Sequence, residues 1–329
     1  MPIEPGSALE VRVTPTQLRA FVAVVRVGSV KDAAAELGVT ESAVSLHIGQ
    51  LRKELGDKLF LRTAHGIAFT PGGLRLASRA AELLGLQDRT IHEVSQAASG
   101  RRLLRVAAES LFAEHAAPGL IELFAGRADD LDVELSLHDA RNFESLLLSR
   151  AVDVAVGERP AVDPAIAGQP FLNYQVIAVA APAHPLTRIH PGAAELREQT
   201  WLLGPSAAGE HGLVAVLLRR IGVPEANQRI FQSHVAALEE AKRGKGVALA
   251  VSFAAAQDVA AGNLRRVAAP VAHAEGTWTL LTLAGRAAPP AAAELGRFVT
   301  TPRATQAMLR GAGVTVGRFR PAVHVTLWS

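Results

Sequence analysis

The residues of this 329-residue chain best suited to chemistry are hydroxyls and imidazoles, not thiols or paired acids. Ser42, Ser45, His47 and Arg52 fall on the polar side of a segment whose apolar residues Val44, Ile48, Leu51 and Leu55 repeat at threes and fours. Small polar side chains on such an edge can hydrogen-bond another polar surface but cannot by themselves break a bond. A second set, Ser110, Ser206, Ser233, His234 and Ser252, stands where strand patterns give way to helical ones. Catalytic arrangements are missing. There is no H-E-x-x-H, no G-x-S-x-G and no cysteine, and Gly244-Lys245-Gly246 lacks both the loop and the hydroxyl of a phosphate-binding motif. The 11 histidines show no metal-ligand spacing. No enzyme activity, cofactor or metal is expected.

Composition bounds the remaining readings. Hydrophobic residues make up 49% and charged residues 20%, as in a soluble globular protein. No apolar run reaches the roughly 18–20 residues of a membrane helix, and Val176–Ala181 stops at Pro182. The first ten residues carry no basic stretch of a signal peptide, and cysteine is absent, so the expected location is cytoplasmic, with no membrane partner. Net charge is only +3, but it is unevenly spread. Gln50–Ala80 has six bases against two acids, whereas Glu109–Pro170 has twelve acids against four arginines. A basic module followed by an acidic domain fits polyanion binding at one end only.

The elements that position Ser42 and its neighbours are legible from their ends. Thr14-Pro15-Thr16-Gln17 reads as a capping box with proline at the first helical position, followed by Leu18, Phe21, Val22 and Val25. Gly28 closes that helix and Ser29 caps a short second one. Gly38-Val39-Thr40 forms a turn, and Thr40 caps a third helix from Glu41 to about Leu55. Leu59–Thr63 and Ile67–Thr70 read as two strands around Ala64-His65-Gly66. This is a helix-turn-helix with a wing, Arg62 and His65 near its tip.

Residues 14–75 resemble the winged helix of the LysR-type transcriptional regulators, through Gln17–Phe21, Gly28-Ser29-Val30, Asp32–Leu37, Ser42–Ser45, Leu59–Thr63 and Thr70-Pro71-Gly72-Gly73, in order and without gaps. The resemblance implies double-stranded operator or promoter DNA as partner. It places Ser42, Ser45 and His47 at base edges, and Lys31, Thr40, Arg52 and Arg62 at phosphates. Glu41, Leu46 and Arg52 depart from the family's usual Gln, Arg and Glu, so its base-reading rules do not transfer to them. The same residues read equally as solvated helix positions, with Arg62 paired to a nearby carboxylate.

From Pro71 a helix runs to about Ala98 with Ala80, Leu84, Gln87, Ile91, Val94 and Ala98 in alternating steps of four and three, the seam of a coiled coil. A surface helix of a monomer gives a similar stripe; beside a winged helix this one reads as a dimerisation helix, and the family resemblance implies a homodimer or homotetramer, with RNA polymerase as a further partner. After Ser99–Arg102 strands and helices alternate, which predicts a parallel α/β sheet. Phe112–Phe124 and Ala291–Leu309 each read as one helix, and Val176–Ala180 and Thr277–Leu283 as strands.

Residues 101–310 are similar to the family's effector-binding domain, built like a periplasmic solute-binding protein, through Val152–Val156, His184-Pro185-Leu186 and Gly244–Ala248. The expected fold is therefore α/β, with an N-terminal winged helix-turn-helix, a long linker helix and a two-lobed effector domain. The expected divisions are a tail at 1–13, the winged helix at 14–72, the linker at 73–99 and the effector domain at 100–329. Its first lobe takes about 101–169 and 271–329, and its second about 170–270. A cleft between such lobes receives strand ends and helix N-termini. Ser110, Ser206, Ser233, His234 and Ser252 would there hold a small anionic effector; each serine reads equally as an N-cap. Val323–Trp328 in the tail reads as a strand added to the first lobe, and the run from Thr300–Arg303 through His324–Ser329 looks like the actinobacterial subgroup encoded beside carbon monoxide dehydrogenase genes. The rival reading is a solute-binding or sensor protein with no DNA role, which leaves the winged helix unexplained.

Overall fold

The computed structural model describes residues 12–63, 66–158, 163–209, 212–310 and 325–326. The chain divides into two compact units, one reaching to Ser95 and taking in Leu148–Arg150, the other holding the remainder from Gln96.

In the first unit α1 (Pro15–Val27), α2 (Val30–Leu37) and α3 (Glu41–Leu55) precede the hairpin β1 (Phe60–Thr63) and β2 (Gly66–Phe69) and the long α4 (Pro71–Ser99). The expected caps are present: Thr14 and Gln17 close a capping box, Ser29 accepts from the Asp32 amide, and Thr40 accepts from the Ala43 amide. Gly38 makes the turn before α3 at φ 65°, a backbone region that costs most other residues about 1 kcal/mol. Phe21, Val24, Val44, Ile48, Leu51, Leu59 and Phe60 bury into one core. Leu55, expected to face inward, is 38% exposed, because it ends α3 beyond that core.

Thr70-Pro71-Gly72-Gly73 has a steric reason. A Cβ on Gly73 would stand 1.8 Å from the Leu59 carbonyl oxygen, and one on Gly72 2.2 Å from Asp57 Oδ2. Asp57 Oδ1 ties the same corner, accepting from Leu59 N and from Thr70 Oγ1, each at 2.6 Å. The Thr70 hydroxyl first, then the Leu59 amide, hold this carboxyl below the usual range. Gly73→Ala is expected to destabilise this unit by about 3 kcal/mol through backbone overpacking. A thermal melt of the variant that coincides with the parent's would show that the wing root has room to spare.

The seam expected along α4 divides. Ala80 and Leu84 are buried in the core of their own unit, whereas Ile91 and Val94 are 60% and 67% exposed, with Leu83 and Leu86 also exposed. The apolar repeat serves two surfaces because the helix outruns the core it packs on.

The second unit runs β3 (Arg102–Ala108), α5 (Ser110–His115), α6 (Ala117–Ala125), β4 (Leu131–Leu137), α7 (Phe143–Leu148), β5 (Val154–Gly157), β6 (Ile166–Ala180), α8 (Ala193–Arg197), β7 (Trp201–Leu203), α9 (Leu213–Ile221), β8 (Gln228–Ile230), α10 (His234–Lys242), β9 (Val247–Val251), α11 (Ser252–Ala260), β10 (Arg265–Arg266), β11 (His273–Leu283), α12 (Pro290–Val299), α13 (Pro302–Arg310) and β12 (Val325–Thr326). One sheet passes through both lobes in the order β12-β4-β3-β5-β11-β6-β9-β7-β8.

The sheet is mixed, a correction to the parallel one expected. Pairs within the lobes, β3 with β4 and β5, and β7 with β8 and β9, are parallel, but β6 and β11 run antiparallel to each other and to their outer neighbours. These two long strands are the crossings between lobes. Their register shifts at Trp278/Thr279, where Thr279 faces Pro170, a residue with no amide hydrogen for the ladder. Each of two helices read as continuous is broken in two, at Ala116 before Pro118 and at Thr300–Thr301 before Pro302. Val325–Thr326 extends the sheet beside Leu135–Ser136, in the first lobe as expected. The rest of the tail lies outside the described residues.

Candidate functional site

In the first unit the site is the outer face of α3. Val44, Ile48 and Leu51 are buried, which turns Ser42, Ser45, Leu46, Gly49, Gln50 and Lys53 outward; Leu46 is 59% exposed. Thr40 Oγ1 caps α3 at 3.2 Å from the Ala43 amide and lies 2.9 Å from Ser42 Oγ. Lys31 is exposed on α2. Two expected members are placed differently. Arg52 does not reach into solvent: its guanidinium lies 4.5 Å above the Phe60 ring and its Nη2 donates to the Phe60 carbonyl at 2.9 Å. Attraction to the ring and the free carbonyl holds it against the wing. His47 is half-buried, and its Nδ1 is enclosed with no partner among the described residues. Arg62 lies in β1 opposite Ile67; its side chain and His65 fall outside the described residues. Gln50, not singled out from the sequence, accepts at 3.3 Å from Gln17, the buried residue of the α1 capping box.

In the second unit the structure brings Ser206, Ser233 and His234 together. Ser233 caps α10, accepting from the Ala236 amide at 3.0 Å, and Ser206 Oγ lies 2.8 Å from His234 Nε2. Gly204 permits this, since a Cβ there would stand 2.3 Å from the His234 ring. Ser110 and Ser252 instead open α5 and α11, half-buried, and their hydroxyls make no hydrogen bond among the described residues.

The residues that dominate this seam are acids with no local motif. Glu114 on α5 crosses from the first lobe and occupies the N-terminus of α10. Its Oε2 accepts from His234 N at 2.9 Å and stands 2.5 Å from His234 Nδ1, while Oε1 accepts from Val235 N at 2.9 Å. Burial opposes its charge, but the bonds from His234 outweigh burial and hold it at about 2. Glu158 does the same at α9, accepting from the Leu213 amide at 3.0 Å on Oε2 and from the Tyr174 hydroxyl on Oε1. Thus two helix N-termini of the second lobe, where free amides favour an anion, are each filled by a carboxylate of the first.

Behind them Glu109 accepts from the Glu158 amide at 2.8 Å and is pushed up to about 7, first by burial and then by the charge of Glu158. Burial raises Glu158 as well. Tyr174 stacks on Trp278 at 4.1 Å between ring centroids, and burial first, then Glu158, drives its hydroxyl far above the ordinary tyrosine value. His115 is 3% exposed; burial, then His234, lowers it to about 4. His234 is singled out from the sequence but Glu114 and His115 are not, because they lie about 120 residues from it along the chain.

A basic, winged helix-turn-helix joined to a two-lobed α/β domain with polar groups at its seam defines a DNA-binding regulator that carries a ligand-binding domain. Comparison with known proteins gives the family. Residues 15–74 match the bacterial regulatory helix-turn-helix of the lysR family, and residues 97–302 match the LysR substrate binding domain. The chain belongs to the LysR family of transcriptional regulators. It is 58% identical over 322 residues to an uncharacterized HTH-type transcriptional regulator, Rv0377, of Mycobacterium tuberculosis, covering 96% of this chain and 100% of that protein. It is 27% identical over 299 residues to the transcriptional regulator CbbR of Rhizobium meliloti, covering 87% and 92%. Among solved structures, ArgP of Mycobacterium tuberculosis superposes with a TM-score of 0.56 at 22% identity, over 92% of this chain and 98% of that one. The last likeness is one of fold. Regulators of this family bind DNA and small-molecule effectors and form oligomers. No helix among the described residues is long and apolar enough to cross a membrane.

Proposed function

We propose that this regulator reads operator DNA with the outer face of α3, with Ser42 and Ser45 at base edges and Lys31, Thr40 and Arg62 at phosphates. His47 and Arg52 support that face from behind. The observation that carries the reading is the division of α3 itself: one side is locked into the core by Val44, Ile48 and Leu51, and the other exposes Ser42, Ser45, Gln50 and Lys53 around a single large apolar side chain, Leu46. The functional divisions are the winged helix at 14–72, the linker at 73–99 and the effector domain at 100–329. The exposed apolar half of α4 joins the chains into a homodimer or homotetramer, and RNA polymerase is the partner at promoters. Work on DNA places the protein in the cytoplasm. Its tail residues favour the subgroup encoded beside carbon monoxide dehydrogenase genes, which the neighbouring genes test.

An effector acts at the seam of the lobes, at Ser206, Ser233 and His234, with Ser110 and Ser252 at its margins. The anionic effector expected from the serines reaches the amides of α9 and α10 only by displacing Glu158 and Glu114. Ligand and internal carboxylate then compete for the same donors, and that competition moves one lobe against the other.

Sequencing the DNA retained by the purified protein supplies an operator for the test. Ser42→Ala and Ser45→Ala are expected to relax base preference at single positions by about 1–3 kcal/mol. Arg62→Ala is expected to weaken all sequences alike and to flatten the salt dependence by about one phosphate contact. No retention of duplex DNA at low ionic strength would remove the reading.

A further inference from the structure

We propose that Glu114, His115 and His234 form a binding site for a divalent first-row transition-metal ion of the Zn2+ and Co2+ class at the seam between the lobes. One ligand atom from each of the three residues lies within 4.8 Å of the others. Both imidazoles are buried, at 3% and 2% exposure, and their ring centroids are 5.5 Å apart. Two imidazoles and a carboxylate are the donors that ions of this class prefer, and three protein ligands leave a position open for a further small ligand.

The independent sign is His115. Its Nε2 is enclosed and has no hydrogen-bond partner among the described residues. A buried imidazole nitrogen left unpartnered costs free energy in the folded chain, and a metal bond at that ring removes the cost. The remaining residues already form the outer layer of such a site. Ser206 Oγ lies 2.8 Å from His234 Nε2, so it accepts a hydrogen bond from Nε2–H when His234 turns Nδ1 to an ion. Glu114 keeps its two backbone bonds, from His234 N and Val235 N, and the ion enters between Oε2 and His234 Nδ1, which stand 2.5 Å apart. Bonds of about 2.0–2.2 Å set tetrahedral donors roughly 3.4 Å apart, so the pair at 2.5 Å opens by about 0.9 Å and the widest separation, within 4.8 Å, closes by at most about 1.4 Å.

The site couples to position. Glu114 and His115 belong to the first lobe and His234 to the second, so an ion fixes their spacing. This consequence, not the binding itself, rests on the seam being where effectors act.

The test uses the full-length protein without an affinity tag, stripped with chelator and titrated with Co2+. One equivalent is expected to bind with the visible absorption of tetrahedral cobalt, to be displaced by Zn2+, and to weaken roughly 100-fold or more in both His115→Gln and His234→Gln. His115→Gln leaves the bond between Glu114 and His234 in place, and its melting curve shows whether it folds. Absence of a stoichiometric cobalt spectrum, or a spectrum unchanged in the folded His115→Gln protein, overturns the proposal. Operator affinity is measured on the same samples. A bound ion that leaves it unchanged keeps the metal site and discards the seam as effector site.

Discussion

Glu114→Ala is expected to lower the thermal transition of the second unit by roughly 6–12 °C. The substitution takes the acceptor from the His234 amide, the Val235 amide and the His234 ring together. Hydrogen bonds to a charged group are each worth about 1.5–3 kcal/mol. Water reaches a side chain that is 21% exposed, so the losses are not fully additive, and about 3 kcal/mol is expected, at the lower edge for breaking a buried pair. In a domain of this size each kcal/mol moves the transition by about 2–4 °C. Glu114→Gln is expected to fall nearly as far, because its amide group turns one donor toward other donors. Calorimetry of both variants decides it. Transitions within about 2 °C of the parent's would mean that the carboxylate seated on α10 does little to hold the lobes.

The second large effect depends on pH. Glu109 titrates at about 7 in the folded chain, because burial first and the charge of Glu158 second oppose its ionisation, against an ordinary value of 4.5. The folded state therefore holds the proton more tightly than the unfolded state. Stability that is complete below pH 4.5 is lost as the pH rises through about 7, by roughly 3 kcal/mol for this group. His115 has the opposite sign: lowered to about 4, it costs stability as the pH falls from 6.5. Comparison with Glu109→Gln separates the two, since glutamine still accepts from the Glu158 amide but does not titrate. In urea titrations the variant's stability relative to the parent's is expected to increase by about 3 kcal/mol between pH 4.5 and pH 8. Two curves that stay parallel would show that Glu109 carries no proton at neutral pH.

Much of the first unit could be read directly because its signals are local. Thr14, Gln17, Ser29, Thr40 and Gly38 each act on a backbone group within a few residues, and all hold the expected positions. Arg52 shows where such reading stops. Periodicity puts it on the polar side of α3, but Phe60 stands beside it only once the hairpin has folded back. The α4 repeat likewise shows which residues are apolar without saying which surface each covers. In the second unit Pro118 and Pro302 mark helix breaks that apolar periodicity runs straight through, because the pattern on either side stays in phase.

By itself the sequence determined the winged helix, the alternation of strands and helices, and the family, since helix caps, turns and periodicity are properties of neighbouring residues. Only the tertiary structure decided that the sheet is mixed, that Arg52 holds the wing, and that Glu114 and Glu158 fill the helix ends where an anion was expected. The reason is physical. A carboxylate and the amides it satisfies meet through the packing of two lobes, and no spacing along the chain records a contact between residues 114 and 234.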